Sequence, residues 1–113
     1  MISTRSSREP NVSDEQKLSI KSALGRAITA IPGKSEGWLM VGIEPEYDLW
    51  FKGENDPAAM VEVSIFGSAS SNALCTLTSH ITGIMTDNIG IPSERVYVKY
   101  TSTNDWGWNG SNF

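Results

Sequence analysis

The chain has 113 residues, of which 39% are apolar and 19% are charged, and it carries a net charge of −4. This length suits one domain with a substantial core, so we take residues 1–113 as a single domain. The acidic balance argues against a nucleic-acid partner, which requires a basic face. The first residues lack the apolar core of a signal peptide, and no apolar run reaches the roughly 18 residues of a membrane span. We therefore expect a cytoplasmic protein that has no membrane partner.

The first half of the chain predicts one helix followed by two strands. Ser13 and Gln16 have the spacing of a capping box, and an apolar stripe at helical spacing follows until Pro32. Residues 38–43 form a short apolar run that is typical of a strand. A turn at Pro45 then predicts that residues 48–52 pair with this strand as a hairpin.

The second half repeats this order. Residues 58–66 are apolar enough for a strand, and small residues then lead into a second helix whose apolar stripe runs from Leu74 to Ile89. Residues 96–100 form the next strand. The repetition indicates a duplicated β-α-β unit. Two such units predict an α+β, two-layer fold, in which a four-stranded sheet carries both helices on one face.

Three strands of this sheet look apolar on both faces. A sheet with helices on only one face would then expose a large apolar patch, which predicts a closed oligomer. The short hairpins that carry Trp50 and Trp108 are candidate donors of edge strands to a neighbouring copy. The apolar strand positions are Leu39, Val41, Val61, Val63, Val96 and Val98.

Four segments, in order, carry the most specific residue patterns: PGKSEGWLMV at 32–41, DPAA at 56–59 with SIFG at 64–67, IPSERVYV at 91–98, and WGWNGSNF at 106–113. Together they resemble the family of macrophage migration inhibitory factor and D-dopachrome tautomerase, over roughly residues 13–113. The resemblance implies a homotrimer with pockets between neighbouring subunits. It also implies keto–enol tautomerisation of phenylpyruvate-like or dopachrome-like compounds, without a cofactor. Several members leave the cell without a signal peptide and act as cytokines, which adds a receptor protein as a partner.

The resemblance assigns three substrate-binding positions. Lys34 matches the lysine at the pocket mouth that holds the substrate carboxylate, although a solvated lysine after a helix end is the simpler alternative. Phe66 matches a position, usually isoleucine, whose backbone N–H contacts the carboxylate. Tyr97 matches a pocket tyrosine contributed by the adjacent subunit, although an ordinary strand tyrosine is an equal alternative.

Further positions depart from the usual residues of the family. Lys99 stands where asparagine is common, and it either adds a second cation to the pocket or points into solvent. Trp106 replaces a smaller aliphatic residue and would narrow the pocket or stack on an aromatic substrate. Trp38, Trp108 and Phe113 match pocket or interface aromatics and are equally suited to a core.

The single histidine and the single cysteine lack partners. His80 and Cys75 both fall on the second predicted helix, with no second histidine and no Cys-x-x-Cys spacing. We therefore expect neither a metal site nor a cysteine nucleophile.

The N-terminus departs from the family pattern. The family's general base is an N-terminal proline, whereas residue 2 here is Ile, and counting back from Ser13 matches the proline to Ser3. Residues 1–9 have few side chains to bury, which predicts a weak, frayed or misplaced first strand. Three explanations of the missing proline compete. The chain has lost the activity, its natural N-terminus differs, or the Met1 α-amine serves as a poorer base. In this count Met1 overshoots the proline position by about 7 Å.

The sequence therefore predicts a homotrimer that binds aromatic keto acids at Lys34 and turns them over weakly or not at all. The alternative is a non-catalytic, cytokine-like signalling or binding protein on the same scaffold.

Overall fold

Two β-α-β units share one four-stranded mixed sheet in the computed structural model, which describes residues 1–113. The strand order is β2-β1-β3-β4, with β1 parallel to β2, β3 parallel to β4, and β1 antiparallel to β3. Both helices pack on one face, which confirms the predicted fold class. The elements are β1 (Ile2–Ser7), α1 (Asp14–Ala27), β2 (Val41–Tyr47), β3 (Ala59–Phe66), α2 (Ser71–Ile89), β4 (Val96–Thr103), β5 (Gly107–Trp108) and β6 (Ser111–Asn112).

Local chemistry correctly predicts the start of α1 and the end of α2, whereas α1 ends at Ala27 and a 3-10 turn over Ile28–Ala30 precedes Pro32. The Ser13 hydroxyl accepts a hydrogen bond from the Gln16 N–H at 3.1 Å, and the Gln16 side chain accepts one from the Ser13 N–H at 2.8 Å. This capping box satisfies backbone donors that α1 would otherwise leave unpaired. At the C-terminal end of α2, Gly90 adopts a left-handed conformation with φ 69°, and glycine does so without steric penalty.

The prediction of a weak or misplaced first strand is wrong, because β1 lies in the centre of the sheet. Ile2 pairs with Val41 of β2 on one side and with Val63 of β3 on the other. Ile2 and Thr4 are almost fully buried under the helices. The small polar residues are tolerated because their hydroxyls find backbone partners. Ser7 Oγ, for example, donates to the Ala58 carbonyl at 3.1 Å.

The predicted hairpin after residue 43 is also absent. β2 continues through Pro45 to Tyr47, with a register shift against β1, and residues 48–52 form no second strand. Phe51 makes only an isolated bridge with Glu54. Pro45 is accommodated because β2 is an edge strand, where a missing N–H removes no ladder bond from a central pair.

The open face of the sheet is polar, so the prediction of two apolar faces is wrong. The six apolar strand positions named above all belong to the core or pack against it. Most of the alternate positions carry polar or charged side chains, with Met60 and Tyr97 among the exceptions. Arg5 of β1 pairs with Glu44 of β2 at 3.0 Å and with Glu62 of β3 at 3.6 Å. Because strand side chains alternate between faces, the apolar series points toward the helices, and the polar and charged series points to the open face.

Arg95 fixes the loop between β2 and β3. Its guanidinium donates hydrogen bonds to the backbone carbonyls of Phe51, Glu54, Asp56 and Pro57, at 2.9 to 3.3 Å. It also lies 5.2 Å from the centre of the Phe51 ring. One side chain thereby holds a segment that has almost no regular structure of its own.

Neither helix is both long enough and apolar enough to cross a membrane.

Candidate functional site

A cavity of about 650 Å³ lies beside the first residue of β1. Its walls come from the loop after α1, the ends of β3 and β4, and the C-terminal hairpin of β5 and β6. The residues that carry its chemistry are Met1, Lys34, Phe66, Asp105, Trp106 and Phe113. The cavity therefore brings together Met1, the loop that follows α1, the end of β3 and the C-terminal residues.

Lys34 presents its ammonium to the cavity from a short turn. The turn follows the end of α1 and uses Gly33 at φ 83°, a conformation that favours glycine. Lys34 Nζ donates a hydrogen bond to the Phe66 carbonyl at 2.8 Å and lies 5.7 Å from the centre of the Phe66 ring. This contact fixes the cation at the end of β3 and leaves its other two donors for a ligand.

The Met1 α-amine lies in the same cavity. It donates a hydrogen bond to the Ser64 carbonyl at 2.8 Å, and the Ser64 N–H donates to the Met1 carbonyl at 2.8 Å. Antiparallel pairing with β3 places Met1 beside the cavity, while its offset from the family's proline position stays a prediction. Burial, and secondly the positive charge of Lys34, lower the pKa of the Met1 amine.

Aromatic rings form one wall of the cavity. Trp38 and Trp108 meet edge to face with ring centres 5.1 Å apart, and the Phe113 ring lies 5.1 Å from that of Phe66. The Phe113 N–H donates to the Trp106 carbonyl at 3.0 Å, which closes the hairpin. The C-terminal residues are thus docked on the same chain and offer flat surfaces for an aromatic ligand.

Tyr97 and Lys99 lie outside this cavity. Both are on the open face of β4, where the Tyr97 ring packs on Phe51 at 5.1 Å and Lys99 lies opposite Glu62. The family resemblance assigns Tyr97 to the pocket of a neighbouring subunit. Its role, like that of Lys99, stays a prediction.

Asp105 is a cavity residue that the sequence reasoning missed. Its backbone N–H donates to Thr103 Oγ1 at 3.0 Å, while its carboxylate takes part in no ion pair. The cavity thus carries a negative charge in addition to the two amines. A signal was available, since Asp105 directly precedes Trp106 in the segment that matches the family pocket.

The second helix places His80 and Cys75 away from this cavity. His80 lines an open groove of about 510 Å³ between the helices, together with Arg26, and Cys75 is exposed. No three His, Cys, Asp or Glu side chains come together in a metal-binding arrangement.

Two β-α-β units on one mixed sheet, with a cavity at the first residue of the central strand, define a protein with a tautomerase-like fold. The sequence model of "Macrophage migration inhibitory factor (MIF)" matches residues 9–113. The chain belongs to this family, and the resemblance stated from sequence is confirmed.

Known proteins agree with this assignment. Mouse macrophage migration inhibitory factor is 29% identical over 94 residues, which cover 81% of this chain and 82% of the mouse protein. The crystal structure of Leishmania major MIF2 is 31% identical, with a TM-score of 0.88 over 100% of this chain and 97% of that chain. A homologue from Prochlorococcus marinus is 27% identical, with a TM-score of 0.82, and the match covers 99% of this chain and 97% of that one.

Proposed function

We propose that the cavity binds small aromatic keto acids, and that a chain beginning at Met1 acts on them only weakly, or not at all, as a keto–enol tautomerase. The observation that carries this proposal is the presence of the Lys34 ammonium and the Met1 amine in one aromatic-walled cavity. Family membership supports the reaction class. Proton transfer of this kind requires a base and an anion-binding site, and no cofactor.

Lys34 supplies the anion-binding group. A carboxylate is a stronger acceptor than the Phe66 carbonyl, because charge-assisted hydrogen bonds are roughly twice as strong as neutral ones. The ammonium has three donors, so it can bind a substrate carboxylate without leaving Phe66.

The backbone of Phe66 supplies a second donor in this proposal. Ser64 directs both its N–H and its carbonyl toward Met1, and groups two residues apart on a strand point to the same edge. Phe66 lies beyond the positions of β3 that pair with β1, so we infer that its N–H faces the cavity side, as its carbonyl does toward Lys34. A carboxylate bound at Lys34 can therefore accept a hydrogen bond from this N–H.

The base is the limiting part of the site. An α-amine has an ordinary pKa near 8, and the lowered pKa of Met1 makes the neutral, basic form more abundant at neutral pH. The amine is primary, however, whereas the base implied by the family resemblance is the secondary amine of proline. A change in the position or the angle of the base strongly reduces proton transfer.

A phenylpyruvate enol–keto assay tests the turnover, on protein whose N-terminal residue is verified by mass spectrometry. We expect slow or absent turnover for the chain that begins at Met1, and a large gain when a processed proline replaces Met1. Family-like rates without this replacement would overturn the proposal of a weak enzyme.

Binding is tested separately through tryptophan fluorescence, since three of the four tryptophans line the cavity. Lys34→Met should weaken phenylpyruvate binding about tenfold, the effect of losing a charged hydrogen bond. Lys17→Met removes an exposed cation of α1, outside the cavity, and should bind like the unmodified chain. Equal binding by both variants would contradict the role of Lys34.

A homotrimer is part of this proposal. Family membership supports it, and the edge strands β2 and β4 are unpaired in a single chain. In such an assembly Tyr97 and Lys99 would contribute to the cavity of a neighbour.

The second candidate is a non-catalytic signalling or binding protein that contacts a receptor and leaves the cell without a signal peptide. The absence of proline at residues 1–9 favours it. In this case Lys34→Met weakens keto-acid binding as above and leaves partner binding intact.

A further inference from the structure

The Met1 amine combines two features that together favour attack on a carbonyl group. It is a primary amine, and it lies in a largely aromatic cavity beside a second cation. Desolvation and a neighbouring positive charge are the two means by which proteins activate amines that form Schiff bases. Proton abstraction requires only that such an amine is basic. Imine formation with a carbonyl also requires that the amine is primary, because both of its hydrogens leave with the water.

We propose that, in a chain that begins with an unmodified Met1, the α-amine forms an imine with the carbonyl carbon of α-keto acids whose carboxylate is bound by Lys34. This inference rests on the keto-acid binding proposed above, but it does not require tautomerase activity.

The two nitrogens are anchored at neighbouring positions along one edge of β3. Met1 N and Lys34 Nζ each donate a 2.8 Å hydrogen bond to a carbonyl of β3, at Ser64 and Phe66 respectively. These two carbonyls lie on the same strand edge about 7 Å apart, since a strand rises roughly 3.4 Å per residue. The keto carbon of an α-keto acid is two bonds from its carboxylate oxygen. In this proposal, a carboxylate on Lys34 therefore allows the keto carbon to approach the Met1 amine along the same strand edge.

The reaction balances without any further reagent. The lone pair of the amine attacks the keto carbon, the N–C bond forms, and the π electrons of the carbonyl move to oxygen. The oxygen then leaves as water with the two hydrogens of the neutral amine, and a C=N bond remains. Uptake of a proton from water gives the protonated imine, whose N–H can donate to the Ser64 carbonyl in place of the present bond. Ser64 thus orients the amine before the reaction and stabilises the cation after it.

Reductive trapping tests the proposal on protein verified to begin with an unmodified Met1. Incubation with phenylpyruvate and cyanoborohydride should add to the N-terminal peptide the mass of phenylpyruvic acid less one oxygen atom. Phenylpropionate has no keto group and should compete for the cavity without forming an adduct. The yield should rise with pH through a midpoint below the ordinary α-amine value of about 8, because only the neutral amine attacks.

Two variants locate the reaction. Lys34→Met should reduce trapping about tenfold through loss of the carboxylate contact, and Lys17→Met should leave it unchanged. Adducts spread evenly over lysine side chains, or an unchanged N-terminal yield in Lys34→Met, would overturn the proposal.

The outcomes separate this inference from the proposed function. Phenylpyruvate binding by fluorescence without an N-terminal adduct overturns the imine and leaves the keto-acid site intact. Absence of both binding and adduct overturns both. A natural protein whose N-terminus proves blocked, extended or shortened relative to Met1 also overturns the imine proposal.

Discussion

The cavity is lined by one positive side chain, Lys34, and one negative side chain, Asp105, and the two differ in their bonding partners. The Lys34 ammonium is held by the Phe66 carbonyl, whereas the Asp105 carboxylate has no ion-pair partner. An anionic keto acid is attracted by the first and repelled by the second. The affinity of this site for anions is therefore lower than its two amines alone would give.

Removal of the Asp105 charge should strengthen the binding of phenylpyruvate. For Asp105→Asn we expect a gain of about two- to fivefold at low ionic strength that shrinks at high salt, because solvent-exposed charges are screened. A fluorescence titration at two salt concentrations measures this change. Asp87→Asn removes an exposed charge of α2 outside the cavity and serves as the control. An affinity that does not change at low salt would show that Asp105 exerts no field on the ligand.

At the scale of elements, the central position of β1 supports the site. β1 is the only strand that pairs with both β2 and β3, and it carries Met1 to the cavity. The site therefore depends on the stability of this strand as well as on the residues that line the cavity.

Truncation of Ile2 measures that dependence. Ile2 is 0% exposed, so Ile2→Ala should lower the free energy of unfolding by about 2 to 4 kcal/mol through lost burial and a residual cavity. Ser3→Ala, on the open face of the same strand, should change it by less than about 0.5 kcal/mol. Urea unfolding compares the two. Similar small losses in both variants would indicate the frayed strand that the sequence predicted.

Substitution of Arg95 tests whether its hydrogen bonds hold the loop between β2 and β3. Arg95→Met removes hydrogen bonds to four carbonyls and should lower the free energy of unfolding by about 2 to 3 kcal/mol. Hydrogen exchange should accelerate at residues 51–57 in particular. Arg26→Met, at the exposed end of α1, is the matched control. Unchanged exchange in this loop would show that the bonds do not hold it.

The whole molecule exposes large apolar side chains on and near its two edge strands. Trp50, just after β2, is 64% exposed, and Tyr97 on β4 is 60% exposed. A trimer that uses these edges would bury both side chains.

Sedimentation of paired variants tests this arrangement. We expect the unmodified chain to sediment as a trimer and Trp50→Glu to dissociate it, because the introduced charge would be buried in the interface. Leu18→Glu changes a side chain of α1 that is 66% exposed, and it should leave the trimer intact. A monomeric unmodified chain, or equal effects of the two variants, would contradict the use of this edge.

Sequence reasoning succeeded where the determining signal is local. The caps and apolar stripes of α1 and α2, the strands β3 and β4, and the family segments could all be found from neighbouring residues. β1 was missed because Thr4 and Ser6 are buried only through pairing with strands that lie far along the chain. Asp105 was missed because it lines the same cavity as Lys34 only after the C-terminal segment has folded onto the rest of the chain.

Met1 and Phe113, the first and last residues of the sequence, line the same cavity. Any purification tag or fusion partner joined at either residue must pass over the mouth of the site. A short linker between the two residues would give a circular backbone with the cavity beneath the junction. Fluorophores and surface tethers are better attached at the exposed Cys75 on α2, which leaves both residues unmodified.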